Sequence, residues 1–81
     1  MDVLFSDKFR HDYNSIKDSA TRQRIHKAIV KLGIMPECGK PLTHDMKGCR
    51  RLVIAPFRLI YQIEGGNVLI VCFEHRKSVY K

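Results

Sequence analysis

Phe9, Tyr13 and Ile16 recur at intervals of four and three residues, the period of an amphipathic helix, and Ser6 with Asp7 behind it offers that helix an N-cap. A second helix is predicted from a cap at Asp18 or Ser19. Ile25, Ala28, Ile29 and Leu32 form its apolar stripe, Arg24, Lys27 and Lys31 lie on its other side, and Gly33 stands where a C-terminal glycine would. Residues 33–49 concentrate glycine and proline without a sustained period and read as a connecting loop. The second half changes character. Leu52–Ala55, Phe57–Glu64 and Val68–Glu74 are rich in β-branched, aromatic and other apolar residues, with Ala55-Pro56 and Glu64-Gly65-Gly66-Asn67 as turns. Together with a short extended piece at Val3–Phe5, they predict an α+β fold. Its two N-terminal helices pack on one face of a small, mainly antiparallel sheet made of the short N-terminal strand and a three-stranded meander. The opposite sheet face is left free.

Eighty-one residues make one domain, 1–81, and a chain this short buries only roughly 60% of its unfolded surface, so modest stability is expected. No apolar stretch approaches the roughly 18 residues of a membrane span, and the start "MDVLFSDKF" lacks the basic region and long apolar core of a signal peptide. A cytoplasmic protein without membrane contact is expected. Three cysteines, Cys38, Cys49 and Cys72, cannot all pair internally, which fits a reducing compartment. The formal net charge is +7, and it is clustered: Arg22, Arg24, Lys27 and Lys31 in one window and Lys47, Arg50, Arg51 and Arg58 in another have no Asp or Glu among them. Such patches call for a polyanionic partner.

Strand alternation sorts these charges. If Leu52 and Ile54 point to the core, Arg51 and Val53 face out, and Arg58 across the turn joins Arg51 on the open face with Lys47 and Arg76 nearby. Arginine forks match phosphate oxygens, and rings stack on unpaired bases, so a basic face edged by His75 and Tyr80 suits single-stranded RNA. Cys38, His44 and Cys49 follow no familiar zinc spacing and no fourth ligand lies beside them, so no metal or other cofactor is expected. His11 and His26 read as surface or edge residues.

The stretch "GKPLTHDMKGCRRLVIAPFRLIYQIEGGNVLIVCFEHRKSVYK", from Gly39 to the end, resembles the RelE toxins of the RelE/ParE superfamily. Members commonly show a G-K-P-L stretch, a basic strand, an aromatic-R-[LV]-[IV]-Y strand and a terminal H-R-x-x-V-Y. The resemblance implies a ribosome-dependent messenger RNA endonuclease that works without metal, the ribose 2′-hydroxyl attacking the adjacent phosphate. It implies phosphate-binding roles for Arg51 and Arg58, phosphate binding or leaving-group protonation for Arg76, and orientation of the 2′-hydroxyl by Tyr80. Lys47, Arg50 and Lys77, with the helix cations Arg24, Lys27 and Lys31, become expected contacts to RNA or ribosome. The implied partners are the ribosome with its message and a cognate RelB-like antitoxin. One departure stands out: the family's strand often carries a second basic residue where this chain has Val53. Arginine stays charged and is a poor proton acceptor, so His75 becomes a candidate base. Two other readings remain open, a ParE-like toxin that poisons gyrase by protein contact and a non-catalytic RNA-binding member.

Overall fold

The structure, a computed structural model, describes residues 1–75. Its helices start where the sequence places their caps. Ser6 Oγ accepts from the Phe9 N–H at 3.0 Å and opens α1, Asp7–Asn14. Asp18 accepts from the N–H groups of Ala20 (3.3 Å) and Thr21 (3.2 Å) and opens α2, Ser19–Ile34. Gly33 is not the terminator. It lies inside α2 beside β1 (Asp2–Phe5), and the helix closes at Met35, whose N–H donates to the Lys31 carbonyl at 2.7 Å from a residue with φ −129°, so no left-handed residue is needed.

The remaining strands are β2 (Lys40–Pro41), β3 (Arg50–Ile54), β4 (Phe57–Glu64) and β5 (Asn67–His75), and the five-stranded sheet has the order β1-β5-β4-β3-β2. The α+β fold class is as predicted, with one strand more. β1 pairs with β5 in parallel, Val3 opposite Val68, and the other pairings are antiparallel. The fifth strand corrects the reading of 33–49 as a plain loop: Lys40 pairs with Arg51 and Pro41 with Arg50, between 3₁₀ turns at Pro36–Cys38 and His44–Met46. Two paired residues are too few to leave a period in the sequence.

Phe9, Ile25, Ala28 and Leu32 of the helices close over Ile54, Leu59, Tyr61, Val68, Ile70 and Phe73 of the sheet. Tyr61 ties that core to the segment before β2. Its ring is fully buried, its hydroxyl donates to the Pro36 carbonyl at 2.7 Å, and it accepts from the Gly39 N–H at 2.8 Å. Burial pushes the phenol above its usual range, so it stays a donor. Tyr61→Phe removes both bonds while keeping the ring, and leaving the Gly39 N–H buried without a partner costs about 1–3 kcal/mol. Urea unfolding checks this, and an unchanged midpoint would show that the hydroxyl is dispensable.

One irregularity decides where the end of the sheet points. β4 and β5 pair Tyr61 with Ile70 but Ile60 with Cys72, so Val71 is an extra residue, a bulge. Val68 and Ile70 face the core before it, and Phe73 faces the core after it. Without the bulge, strict alternation would send Cys72 and Glu74 to the helix side. The N-terminal segment holds the edge of this kink: Ser6 Oγ donates to the Val71 carbonyl, and Asp12 Oδ2 accepts from the Phe73 N–H at 3.3 Å. β1 therefore covers the first half of β5, and α1 takes over where β1 stops.

Candidate functional site

On the sheet face away from the helices, the register aligns Lys40, Arg51, Ile60 and Cys72 in one row across β2, β3, β4 and β5, and Val53, Arg58 and Glu74 in the next row. Directly opposite residues share a face, with Cβ atoms about 4.5–5.5 Å apart. The middle of this face is not open as expected. Ile60 and Cys72 are 2% and 4% exposed and make an apolar floor, with Arg51 and Glu74 half-buried around it and Val53 exposed.

Arg58 was expected to face solvent, and this is corrected: it is only 7% exposed. β4 is the central strand, so its side chain lies between Val53 of β3 and Glu74 of β5 rather than at an edge. His75 also departs from expectation. After the bulge it falls opposite Phe57 on the helix-side face, exposed, with its ring edge-on to Phe57 at 5.4 Å and 83°. It is not a neighbour of Arg58 across the sheet. Arg76, Lys77 and Tyr80 lie outside the described residues.

The remaining cations divide. Arg50 is the partner of Tyr61, and its guanidinium donates to the Gly39 carbonyl at 2.8 Å and the Glu37 carbonyl at 3.3 Å, holding the segment before β2. Lys47 is exposed beside the second 3₁₀ turn. Arg24, Lys27 and Lys31 are exposed on α2, on the helix side of the sheet and therefore away from Arg51 and Arg58. Among the described residues, no three His, Cys, Asp or Glu side chains gather as a metal site would need.

Sequence reasoning passed over Glu74, which the bulge turns onto the same face as Arg58. The Cys72 thiol donates to Glu74 Oε1 at 3.5 Å. Burial, with Glu74 adding to it, pushes this thiol up to about 12, so it remains protonated as the donor. Lys8 of α1 approaches from the edge. Its ammonium binds Asp12 Oδ2 at 3.1 Å and is raised chiefly by that hydrogen bond, with the charges of Asp12 and Glu74 contributing.

A basic domain with two helices on one side of a five-stranded mixed sheet is the architecture of small toxins from toxin–antitoxin systems. The chain matches the YoeB/ParE toxin from Agrobacterium tumefaciens with a TM-score of 0.83 at 21% identity, over 93% of this chain and 98% of that one. It matches the RelBE2 toxin–antitoxin complex from Mycobacterium tuberculosis with a TM-score of 0.71 at 28% identity, over 93% and 96%. For the chromosomal ParDE system of P. aeruginosa the values are 0.76, 18%, 93% and 95%. No curated protein matches the chain. Residues 3–80 match the family described as ParE toxin of type II toxin–antitoxin system, parDE, and the chain belongs to that family. It is a type II toxin of the ParE/RelE superfamily.

Proposed function

We propose that this toxin is a ribosome-dependent messenger RNA endonuclease that cuts the message in the ribosomal A site and so inhibits translation. The observation that carries the reading is Arg58, a guanidinium held almost out of solvent on the central strand, one strand from Arg51. Burying a charge is costly, and such groups are retained where a fixed charge is needed. In this reading the anion that the fixed charge serves is the scissile phosphate. Arg51 and Arg58 hold it, and the motif resemblance adds Arg76 as a further phosphate ligand or proton donor and Tyr80 as the group that orients the 2′-hydroxyl. Attack by that hydroxyl in line yields a 2′,3′-cyclic phosphate. Lys47, Lys77 and the helix cations Arg24, Lys27 and Lys31 serve ribosome or RNA contact. His75 stays a candidate for base stacking or proton transfer from the helix-side edge.

The partner that restrains the toxin is a RelB-like antitoxin with a helix-rich, partly disordered segment of acidic or mixed charge. Related folds have been solved as toxin–antitoxin complexes, among them RelB-RelE from Methanococcus jannaschii. A small basic domain gains stability from a ligand that binds only its folded state. The cytoplasm is the compartment that this function requires. A second reading, gyrase inhibition by protein contact, draws on Val53, which is 59% exposed where a basic residue would serve RNA cleavage.

Free 30-mer RNA is expected to be cut far more slowly than the same message on ribosomes, because the ribosome supplies the attack-ready geometry, a contribution that can reach several kcal/mol. Product analysis with and without chelator tests the chemistry. The ribosome-bound message should yield ends carrying a 2′,3′-cyclic phosphate under both conditions. Equal rates on naked and ribosome-bound RNA, or ends of another chemistry, would contradict the reading.

A further inference from the structure

Cleavage by a 2′-hydroxyl needs a proton acceptor beside the phosphate, and the row that holds Arg58 contains one. Val53 on one side of Arg58 cannot take a proton, and His75 is turned to the other face of the sheet. Glu74, directly across from Arg58, can. We infer that Glu74 is the general base of the proposed cleavage, oriented by the Cys72 thiol and brought to the phosphate site by the bulge at Val71. The assignment rests on the nuclease reading.

Four observations support it. The bulge exists in the β4–β5 register, and it alone decides whether residue 74 or residue 75 shares a face with Arg58. Glu74 is half-buried, so its carboxylate is positioned yet reachable, at the margin of the more deeply set Arg58. One oxygen, Oε1, accepts from Cys72 Sγ at 3.5 Å, and among the described residues Oε2 takes no hydrogen bond. The carboxylate is therefore held at one end and available at the other. Finally, the charged and titratable groups around it come from three elements: Arg58 of β4, Cys72 of its own strand, and Lys8 and Asp12 of α1. The base thus stands beside the arginine that would meet the phosphorane charge.

The step balances without a further reactant. The 2′-hydroxyl proton passes to the Glu74 carboxylate as the O2′–P bond forms. The P–O5′ bond breaks, the departing oxygen takes a proton from solvent, and Glu74 returns its own proton to solvent.

The test is the single-turnover rate on a ribosome-bound message with wild type, Glu74→Gln, Glu74→Asp and Glu74→Gly, the last with and without added formate. Glu74→Gln keeps the size and the acceptor oxygen but cannot carry the proton. It should lower the rate by about 10²-fold or more, with ribosome affinity and melting temperature unchanged. Glu74→Asp should be slower than wild type yet faster than the glutamine variant, and Glu74→Gly should regain rate when formate supplies a free carboxylate; these two carry the test if the glutamine variant does not fold. A glutamine variant as fast as wild type overturns the assignment. So does a glycine variant that formate fails to rescue, since that is the behaviour of a residue that only positions Arg58, and so does an aspartate variant no faster than the glutamine one. If wild type itself cuts no message, the nuclease reading falls; if wild type cuts and Glu74→Gln cuts equally well, only the base assignment does.

Discussion

Arg58→Met is expected to slow cleavage of a ribosome-held message by about 10²-fold or more, out of proportion to a loss of stability of about 1–3 kcal/mol. The two halves of this result have different causes. A guanidinium that is 7% exposed on a central strand is not without partners in the fold, and methionine keeps the aliphatic bulk but removes the charge and the donors. The catalytic loss arises because charge on the phosphorane exceeds that on the ground-state phosphate, so a fixed cation lowers the barrier more than it tightens binding. Thermal unfolding and single-turnover cleavage on the same preparations check both halves. A methionine variant that cuts normally would remove Arg58 from the site, and one that fails to fold would make its guanidinium a structural tie.

Gly39→Ala is expected to produce the largest loss of stability. Gly39 has an ordinary extended backbone, φ −79°, so the requirement for glycine here is one of space. A Cβ at this position would lie 2.4 Å from the Tyr61 hydroxyl, 2.7 Å from its Cε1 and 2.7 Å from the Arg51 carbonyl oxygen. Neither neighbour is the loose end of a flexible side chain: Tyr61 is fully buried, and the Arg51 oxygen is backbone in β3. Relief requires moving the segment before β2 away from the sheet, which also breaks the Gly39 N–H bond to Tyr61 and the Arg50 bond to the Gly39 carbonyl. Overpacking costs about 1–3 kcal/mol, with the broken bonds in addition. At about 4–8 °C per kcal/mol for a domain of this size, the melting temperature should fall by roughly ten degrees or more. A change within about 2 °C would show that the segment yields freely. Cleavage should fall as well, because β2 moves with the segment and Lys40 of β2 is the cross-strand partner of Arg51.

The helices were legible because their signals are local. Ser6 and Asp18 act as caps where the sequence puts them, and the Glu64-Gly65-Gly66-Asn67 turn links two strands whose composition announced them. Three features were hidden for physical reasons. The bulge sits in the uniformly apolar run Val68-Leu69-Ile70-Val71-Cys72-Phe73, which has no polar alternation to break, so nothing in it shows that residues 72 to 75 change face. Alternation assigned Arg58 correctly to the face away from the helices but not its depth, which follows from strand order and places β4 in the middle. β2 pairs by backbone alone over two residues. As a result Arg51 and Arg58 were placed on one face from the sequence, while Glu74 needed the register and His75, read as edging that face, lies on the other.

The central claim, that this toxin acts on the message inside the ribosome, is tested most directly by toeprinting. Purified protein is added to ribosomes stalled on a defined message, with a gyrase supercoiling assay run on the same preparation. The account predicts new reverse-transcription stops at the A-site codon, absent with Arg58→Met, and supercoiling that proceeds unaffected. An intact message together with blocked supercoiling would contradict it.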